Sequence, residues 1–198
     1  MSGLALADDR VILGLGGNQG DLAAVLARFV GAARALAAWG PVYASPVYRT
    51  APVGPAQPDY LNAALAFTVP EELAASALLR EVQTLEYALG RRRVAGELRW
   101  GPRPIDLDVL LWGGKVLRRT GAPLLVPHPQ LARRRFALQP VIDLLGADAA
   151  IPGHEPALTL GAALAALGDD PAQRIELTDY TIAGAEAPAT SLTSLTST

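Results

Sequence analysis

The spacing of apolar positions changes several times along the chain, and each change marks an element. Residues 11–17 are almost continuously apolar and close in glycines, the pattern of a short buried strand ending in a glycine turn. From 21 to 38 the period becomes helical: Leu22, Val25, Leu26, Phe29 and Leu36 form a stripe among alanines, and Asp21 suits the first turn. Trp39, Gly40 and Pro41 end that helix, and residues 42–49 look extended. Residues 50–58 hold three prolines and a glycine, so this loop has little freedom. Residues 60–69 give a second long strand. Pro70, Glu71 and Glu72 are placed to open a helix over 71–89, with Leu73, Ala77, Leu78, Val82, Leu85 and Leu89 in period and Gly90 as the stop. After an arginine-rich loop, 105–112 predicts a third strand, turned by Gly113 and Gly114. Short helices are expected over 136–145 and 158–167. The polar end predicts a flexible low-complexity tail.

Strands and helices mix without strict alternation, and there is no internal repeat or interdomain linker. This predicts an α+β sandwich around a largely antiparallel sheet, not a doubly wound one. We expect one domain over 1–170 and a C-terminal extension over 171–198.

Composition narrows the class. Of 198 residues, 51% are apolar and 18% charged, enough for a sizeable core, which excludes wholesale disorder. There is no cysteine, so disulfides, zinc–thiolate sites, iron–sulfur clusters and a cysteine nucleophile are excluded together. That fits a reducing cytoplasm. No uninterrupted apolar run approaches the ~18 residues of a membrane span. Acids stand near the start, where a secretory signal would be apolar. The expectation is a cytoplasmic protein without a membrane partner.

The net charge of −2 hides a strong imbalance. Residues 91–135 hold ten arginines and one lysine against Glu97, Asp106 and Asp108, a window of +8 that leaves −10 elsewhere. An arginine-rich composition explains the shortage of lysine but not the clustering. Grouped guanidinium forks suit a polyanion, because each grips phosphate oxygens bidentately.

Three constellations carry candidate chemistry. The first runs from Gly14 to Gly20 between strand and helix. It lacks the third glycine of a dinucleotide fingerprint, because Gln19 stands there, and no Gly-Lys-Ser/Thr follows. A tight structural turn is favoured over a phosphate cradle. The second is Asp106 and Asp108, two apart in an apolar run. On a strand their side chains face one way, roughly 6–7 Å apart, while Leu107 and Val109 face the core. Two like charges so placed favour a shared cation, and hard oxygen ligands suit Mg²⁺. A solvated edge strand is the bland alternative, and the preceding stiff Trp100-Gly101-Pro102-Arg103 tips the balance toward metal. The third is the arginines at 91–93 and 133–135 together with His128, held between Pro127 and Pro129. With the acid pair they look like a clamp for a triphosphate with bound Mg²⁺. His128 either donates to a phosphate or caps a turn.

In this order the motifs resemble those of the 6-hydroxymethyl-7,8-dihydropterin pyrophosphokinase (HPPK) family of folate biosynthesis. The stretches that carry the resemblance are Gly17-Asn18; Tyr48 through Gly54; Gln57-Pro58-Asp59-Tyr60-Leu61-Asn62-Ala63; Glu86 with Gly90 through Arg93; Arg99 through Asp108; and Pro127-His128-Pro129 with Arg134-Arg135-Phe136. Together they span roughly residues 10–165.

The resemblance implies a ferredoxin-like α/β sandwich and an enzyme that transfers the pyrophosphoryl group of ATP to the hydroxymethyl group of a reduced pterin, releasing AMP. It implies two Mg²⁺ ions on Asp106 and Asp108, and Arg91 and Arg103 acting on the phosphates during transfer. It places Gln83, Glu86, Arg93, Trp100, Val109, His128 and Arg134 at the nucleotide. Tyr60 and Phe136 would sandwich the pterin ring, with Thr50, Ala51, Val53, Asn62 and Trp100 also at the substrate. ATP and the pterin are then the partners, with no nucleic acid, on a monomer.

This chain departs from the family pattern at three places. Pro123 stands where some relatives carry a basic residue, for which Arg118 or Arg119 is the possible substitute. The loop from Gly90 to Trp100 is about two residues longer, a length that bears on loop closure. The extension past residue 170 has no counterpart. A nucleic-acid module using the +8 window is the rival from another class. It would interleave aromatics with the arginines, and few are there. A non-catalytic nucleotide-binding relative is the second rival, opposed by the presence of both aspartates and both arginines.

Overall fold

The computed structural model describes residues 3–92, 101–118 and 124–188. In chain order the elements are β1 (Arg10–Gly17), α1 (Leu22–Leu36), β2 (Tyr43–Ala44), β3 (Tyr48–Thr50), β4 (Tyr60–Thr68), α2 (Ala75–Ala88), β5 (Asp106–Trp112), α3 (Arg135–Leu145), β6 (Ala150–Ile151), β7 (Leu158–Thr159), α4 (Leu160–Ala166) and β8 (Ile175–Leu177). The main sheet runs β5-β1-β4-β3-β8, with β2 also on β4, and all of its strand pairings are antiparallel. Among the described residues four α-helices accompany this sheet in a mixed α+β sandwich of ferredoxin-like type, as the sequence pattern and the family resemblance together predict.

The two faces of β1 explain how the layers form. Val11, Leu13 and Leu15 point to one face and pack with Val25 and Phe29 of α1 and Leu78 and Val82 of α2. Ile12 points to the other and packs with Ala64, Ala66 and Leu110 under Leu138, Val141 and Leu144 of α3 and Leu160 of α4. On that second face the strand continues as Gly14 and Gly16, opposite Ala64 and Asn62 on β4. On the other flank Gly14 faces Asp108 and Gly16 faces Asp106. A face that is greasy and filled at one end therefore becomes small and polar at the other. A cavity opens there, beside the first turn of α3.

Several boundaries differ from the sequence expectation for local reasons. Gly14, Gly16 and Gly17 lie in β1 itself, and only residues 18–21 turn. Asp21 is the N-cap of α1, its carboxylate accepting the Ala24 N–H at 2.8 Å, so the helix starts one residue later. Pro70 to Leu73 form a separate turn closed by the Leu73 N–H to the Pro70 carbonyl at 3.0 Å. Ala74 is then extended, with ψ 144°, so α2 begins four residues past the expected start. Leu22–Trp39 is long and apolar enough to cross a membrane by composition, yet Val25, Phe29, Ala32, Ala33 and Leu36 bury its inner stripe against the sheet.

The extension is also built in. β8 adds to the outer edge of β3, pairing Tyr48 with Leu177 and Thr50 with Ile175. Glu186 then exchanges backbone hydrogen bonds with Ala44 and Val42, and Ile182 is buried. The end beyond 188, for which flexibility was expected, lies outside the described residues.

Candidate functional site

The cavity on the α3 face is lined by Gly14, Gly16, Thr50, Ala51, Val53, Tyr60, Asn62, Arg103, Asp106, Asp108, Arg134 and Phe136. Ten of these are residues that the sequence singled out, and they come from five segments: β3 and the loop after it, β4, the loop before β5, β5 itself, and the start of α3.

Its floor is made by absence. A Cβ on Gly16 would lie 3.0 Å from Asn62 Oδ1, and one on Gly14 would lie 3.0 Å from a Leu110 methyl. Both positions sit beneath the carboxylates of Asp106 and Asp108, which share one face of β5 while Leu107 and Val109 are buried on the other. Glycine is needed here for close approach, not for a turn. The visible sequence signal is alternate glycines inside a strand pattern, which loop-motif reading overlooked.

The polar wall is cross-braced. The Asn62 side-chain amide donates to Thr50 Oγ1 at 2.7 Å, and both residues are buried. Tyr60 donates its hydroxyl to the Gly101 carbonyl at 3.0 Å, which ties β4 to the loop before β5. Burial is the main influence on that phenol and raises its pKa, while the nearby Arg103 and Arg91 charges pull the other way. Asn18 is the hub behind this wall. Its Oδ1 accepts the Arg103 N–H at 2.9 Å, and its Nδ2 donates to Gln57 Oε1 at 3.0 Å and to the Pro58 carbonyl at 2.9 Å. In the sequence Asn18 stood only as part of a motif, because nothing local reveals bonds to residues 39 and 85 positions away.

Arg103 forms an ion pair with Asp106, with both side chains about three-quarters buried. Arg134 lies with its guanidinium 5.6 Å from the Phe136 ring centre, so the cation covers the aromatic wall. Arg91 is buried, with its backbone N–H on the Glu86 carbonyl at 2.9 Å.

The remaining sequence candidates sit around the cavity, not in it. His128 lines an adjoining groove with Arg118, Arg133 and His154. Its Nδ1 accepts the Gln130 N–H at 3.2 Å, so it caps a turn and keeps its proton on Nε2. Burial lowers its pKa and Arg134 lowers it further, while Asp106 opposes them, so the ring is held neutral within reach of the site's charges. Glu86 is buried in α2, and its Oε1 accepts the Leu107 N–H at 2.9 Å, clamping the outer edge of β5. Val109 buries its side chain in the core layer that also holds α1 and α2 residues, on the edge strand β5. Gln83 is exposed on α2. Arg93 and Trp100, and the departures at Pro123 and Arg119, lie outside the described residues.

The donor set fits a hard divalent ion that is shared with a ligand. Among the described residues no cluster of three or more acids or histidines is present that would enclose a metal by itself. Two carboxylates over a glycine floor leave most coordination positions to waters and to phosphate oxygens, as Mg²⁺ prefers.

Comparison with known proteins places most of the chain among relatives. The model of the family described as 7,8-dihydro-6-hydroxymethylpterin-pyrophosphokinase (HPPK) matches residues 12–146. The 2-amino-4-hydroxy-6-hydroxymethyldihydropteridine pyrophosphokinase of Methylorubrum extorquens is 39% identical over 168 residues, covering 84% of this chain and 99% of the relative. The protein of the same name from Bacillus subtilis is 36% identical, over 67% of this chain and 75% of the relative. The mitochondrial folate synthesis bifunctional protein of Arabidopsis thaliana is 41% identical over 101 residues, which is half of this chain and 17% of that longer one.

Proposed function

The chain belongs to the 7,8-dihydro-6-hydroxymethylpterin-pyrophosphokinase family, a family of pyrophosphoryl transferases of folate biosynthesis, and we propose in detail how its cavity performs that transfer. The observation that carries the reading is that one cavity holds an aromatic pair, Tyr60 and Phe136, beside an acid pair, Asp106 and Asp108. Such a cavity suits a flat heteroaromatic ring at one end and a metal-bound polyphosphate at the other.

The ring lies between Tyr60 and Phe136, where aromatic faces contribute dispersion and electrostatic contact. Thr50, Asn62 and the backbone at Ala51 and Val53 read its polar edge, held in place by the Thr50–Asn62 bond. Asp106 and Asp108 would hold two Mg²⁺ ions on the phosphates of ATP. When bound, these ions neutralise charge on the transferring group and align it. The hydroxymethyl oxygen bonds to the β-phosphorus as the bond from that phosphorus to the oxygen shared with the α-phosphate breaks. AMP leaves with the electron pair, and the hydroxyl proton passes to solvent. Positioning and charge neutralisation carry most of such a step, so no strong base is required.

Arg103 and Arg91 meet the charge on the moving group. Arg103 pairs with Asp106, so a bound phosphate would draw on the guanidinium and a bound metal ion on the carboxylate. The half-buried, neutral His128 would present its Nε2–H as a donor at the rim. Arg134, together with Arg93 and Trp100, completes the nucleotide side.

The test is product analysis after incubation with ATP, Mg²⁺ and 6-hydroxymethyl-7,8-dihydropterin. AMP and the pterin diphosphate in equal amounts are expected. Formation of ADP would show transfer of a single phosphoryl group and overturn the reading.

A further inference from the structure

Residues 173 and 174, just before β8, touch both walls of the ring cavity. Arg174 grips the two ends of the 51–59 loop. Its carbonyl accepts the Ala51 N–H at 3.1 Å, and its Nη2 lies 2.9 and 2.7 Å from the two Asp59 carboxylate oxygens. Ala51 lines the cavity, and Asp59 directly precedes Tyr60. One residue earlier, Gln173 reaches the opposite wall: its Oε1 accepts the Arg135 N–H at 2.8 Å. Arg135 is the first residue of α3 and lies between the cavity residues Arg134 and Phe136. No side chain local to α3 caps that end, so Gln173 satisfies one of its unpaired N–H groups from a distant segment.

We propose that Gln173 and Arg174 are positioning residues that strap the 51–59 loop to the first turn of α3. The C-terminal extension thereby sets the gap between Tyr60 and Phe136, and so the affinity for the ring. The proposal rests on the reading of this cavity as the pterin site. The strap is not mainly a source of global stability. The Arg174–Asp59 pair is substantially exposed, and exposed pairs stabilise folds little. What it fixes is position, through polar links from residues 173–174 to both of these walls. Because one nitrogen makes both contacts to Asp59, the single ammonium of lysine can replace it.

The test uses the full chain with Gln173→Ala/Arg174→Ala, Arg174→Ala and Arg174→Lys. Equilibrium binding of the pterin and of a non-hydrolysable ATP analogue is measured, with amide hydrogen exchange on the ligand-free proteins. The double variant should bind the pterin about tenfold more weakly, with ATP-analogue affinity within about twofold. Arg174→Lys should recover most of the loss. The amides of Ala51 and Arg135 should exchange faster in the double variant, while those of β1 stay protected. Unchanged pterin affinity, or equal losses for both ligands with faster exchange throughout the sheet, would overturn the strap. Failure of the unmodified protein to bind pterin would instead refute the site reading, and the exchange data would still decide whether the two walls are held by these residues.

Discussion

Asn18 and Arg103 are bonded to one another in both directions: the Asn18 side-chain oxygen accepts the Arg103 N–H at 2.9 Å, and the Asn18 N–H donates to the Arg103 carbonyl at 2.9 Å. The same amide holds Gln57 and Pro58. The end of β1, the loop before β5 and the loop before β4 thus meet at one nearly fully buried side chain.

Asn18→Ala removes the part-buried bonds to the Arg103 N–H and the Pro58 carbonyl. We expect a loss of about 1–3 kcal/mol in stability. Turnover should fall further than stability explains, because Arg103 loses its anchor. Chemical denaturation alongside single-turnover kinetics, at a temperature where the variant is folded, checks this. A variant as stable as the parent would contradict the hub.

Much of this fold is legible in the sequence because its strands and helices carry clean periods. β1, β4, β5, α1 and α3 fall within a few residues of where alternation or helical spacing puts them. The start of α2 differs because Pro70 and two acids are chemically suited to a helix start, while Pro70 to Leu73 close a separate local turn and Ala74 is extended. Asp106 and Asp108 were readable because a two-residue spacing on a strand fixes their common face. The alternation of Gly14 and Gly16 is visible in the sequence, but their role is not, since it depends on which residues stand opposite, and register is a property of the folded sheet. The same holds for Asn18 and for Arg174, whose partner Asp59 is 115 residues away.

Phe136→Ala removes one face of the proposed ring sandwich and the surface under the Arg134 guanidinium. Loss of ring contact of about 1 kcal/mol or more corresponds to at least about a fivefold rise in the pterin dissociation constant. Isothermal titration should find ATP-analogue binding nearly unchanged. Equal weakening of both ligands would point to general misfolding.

Gly16→Ala puts a methyl on the cavity floor, 3.0 Å from Asn62 Oδ1. The backbone there is ordinary strand, so the fold has only a close contact to absorb, at about 1–3 kcal/mol if the neighbour cannot yield. Pterin affinity and turnover should both fall, and a thermal melt should remain cooperative. Wild-type kinetics in this variant would show that the floor does not touch substrate.

His128 links pH to stability with a definite sign. Its protonation is disfavoured in the fold, chiefly by burial, so its contribution is fully present above the ordinary value of 6.5 and is lost as pH falls through the lowered one. Melting temperatures measured from pH 7 down to about 5 should fall more steeply for the parent than for His128→Asn, which titrates no imidazole at that position. Parallel curves would contradict a half-buried imidazole held neutral.

The central claim is that the acid pair on β5 acts on the phosphates and the aromatic pair on the ring, within one cavity. Single-turnover AMP formation across a Mg²⁺ titration, with pterin affinity measured in parallel, tests it most directly on Asp106→Asn and Asp108→Asn. The account predicts folded proteins with pterin affinity within about twofold of the parent, and AMP formation lowered by a factor of about a hundred or more and displaced to higher Mg²⁺. AMP formation at the parental rate with the parental Mg²⁺ dependence would contradict it.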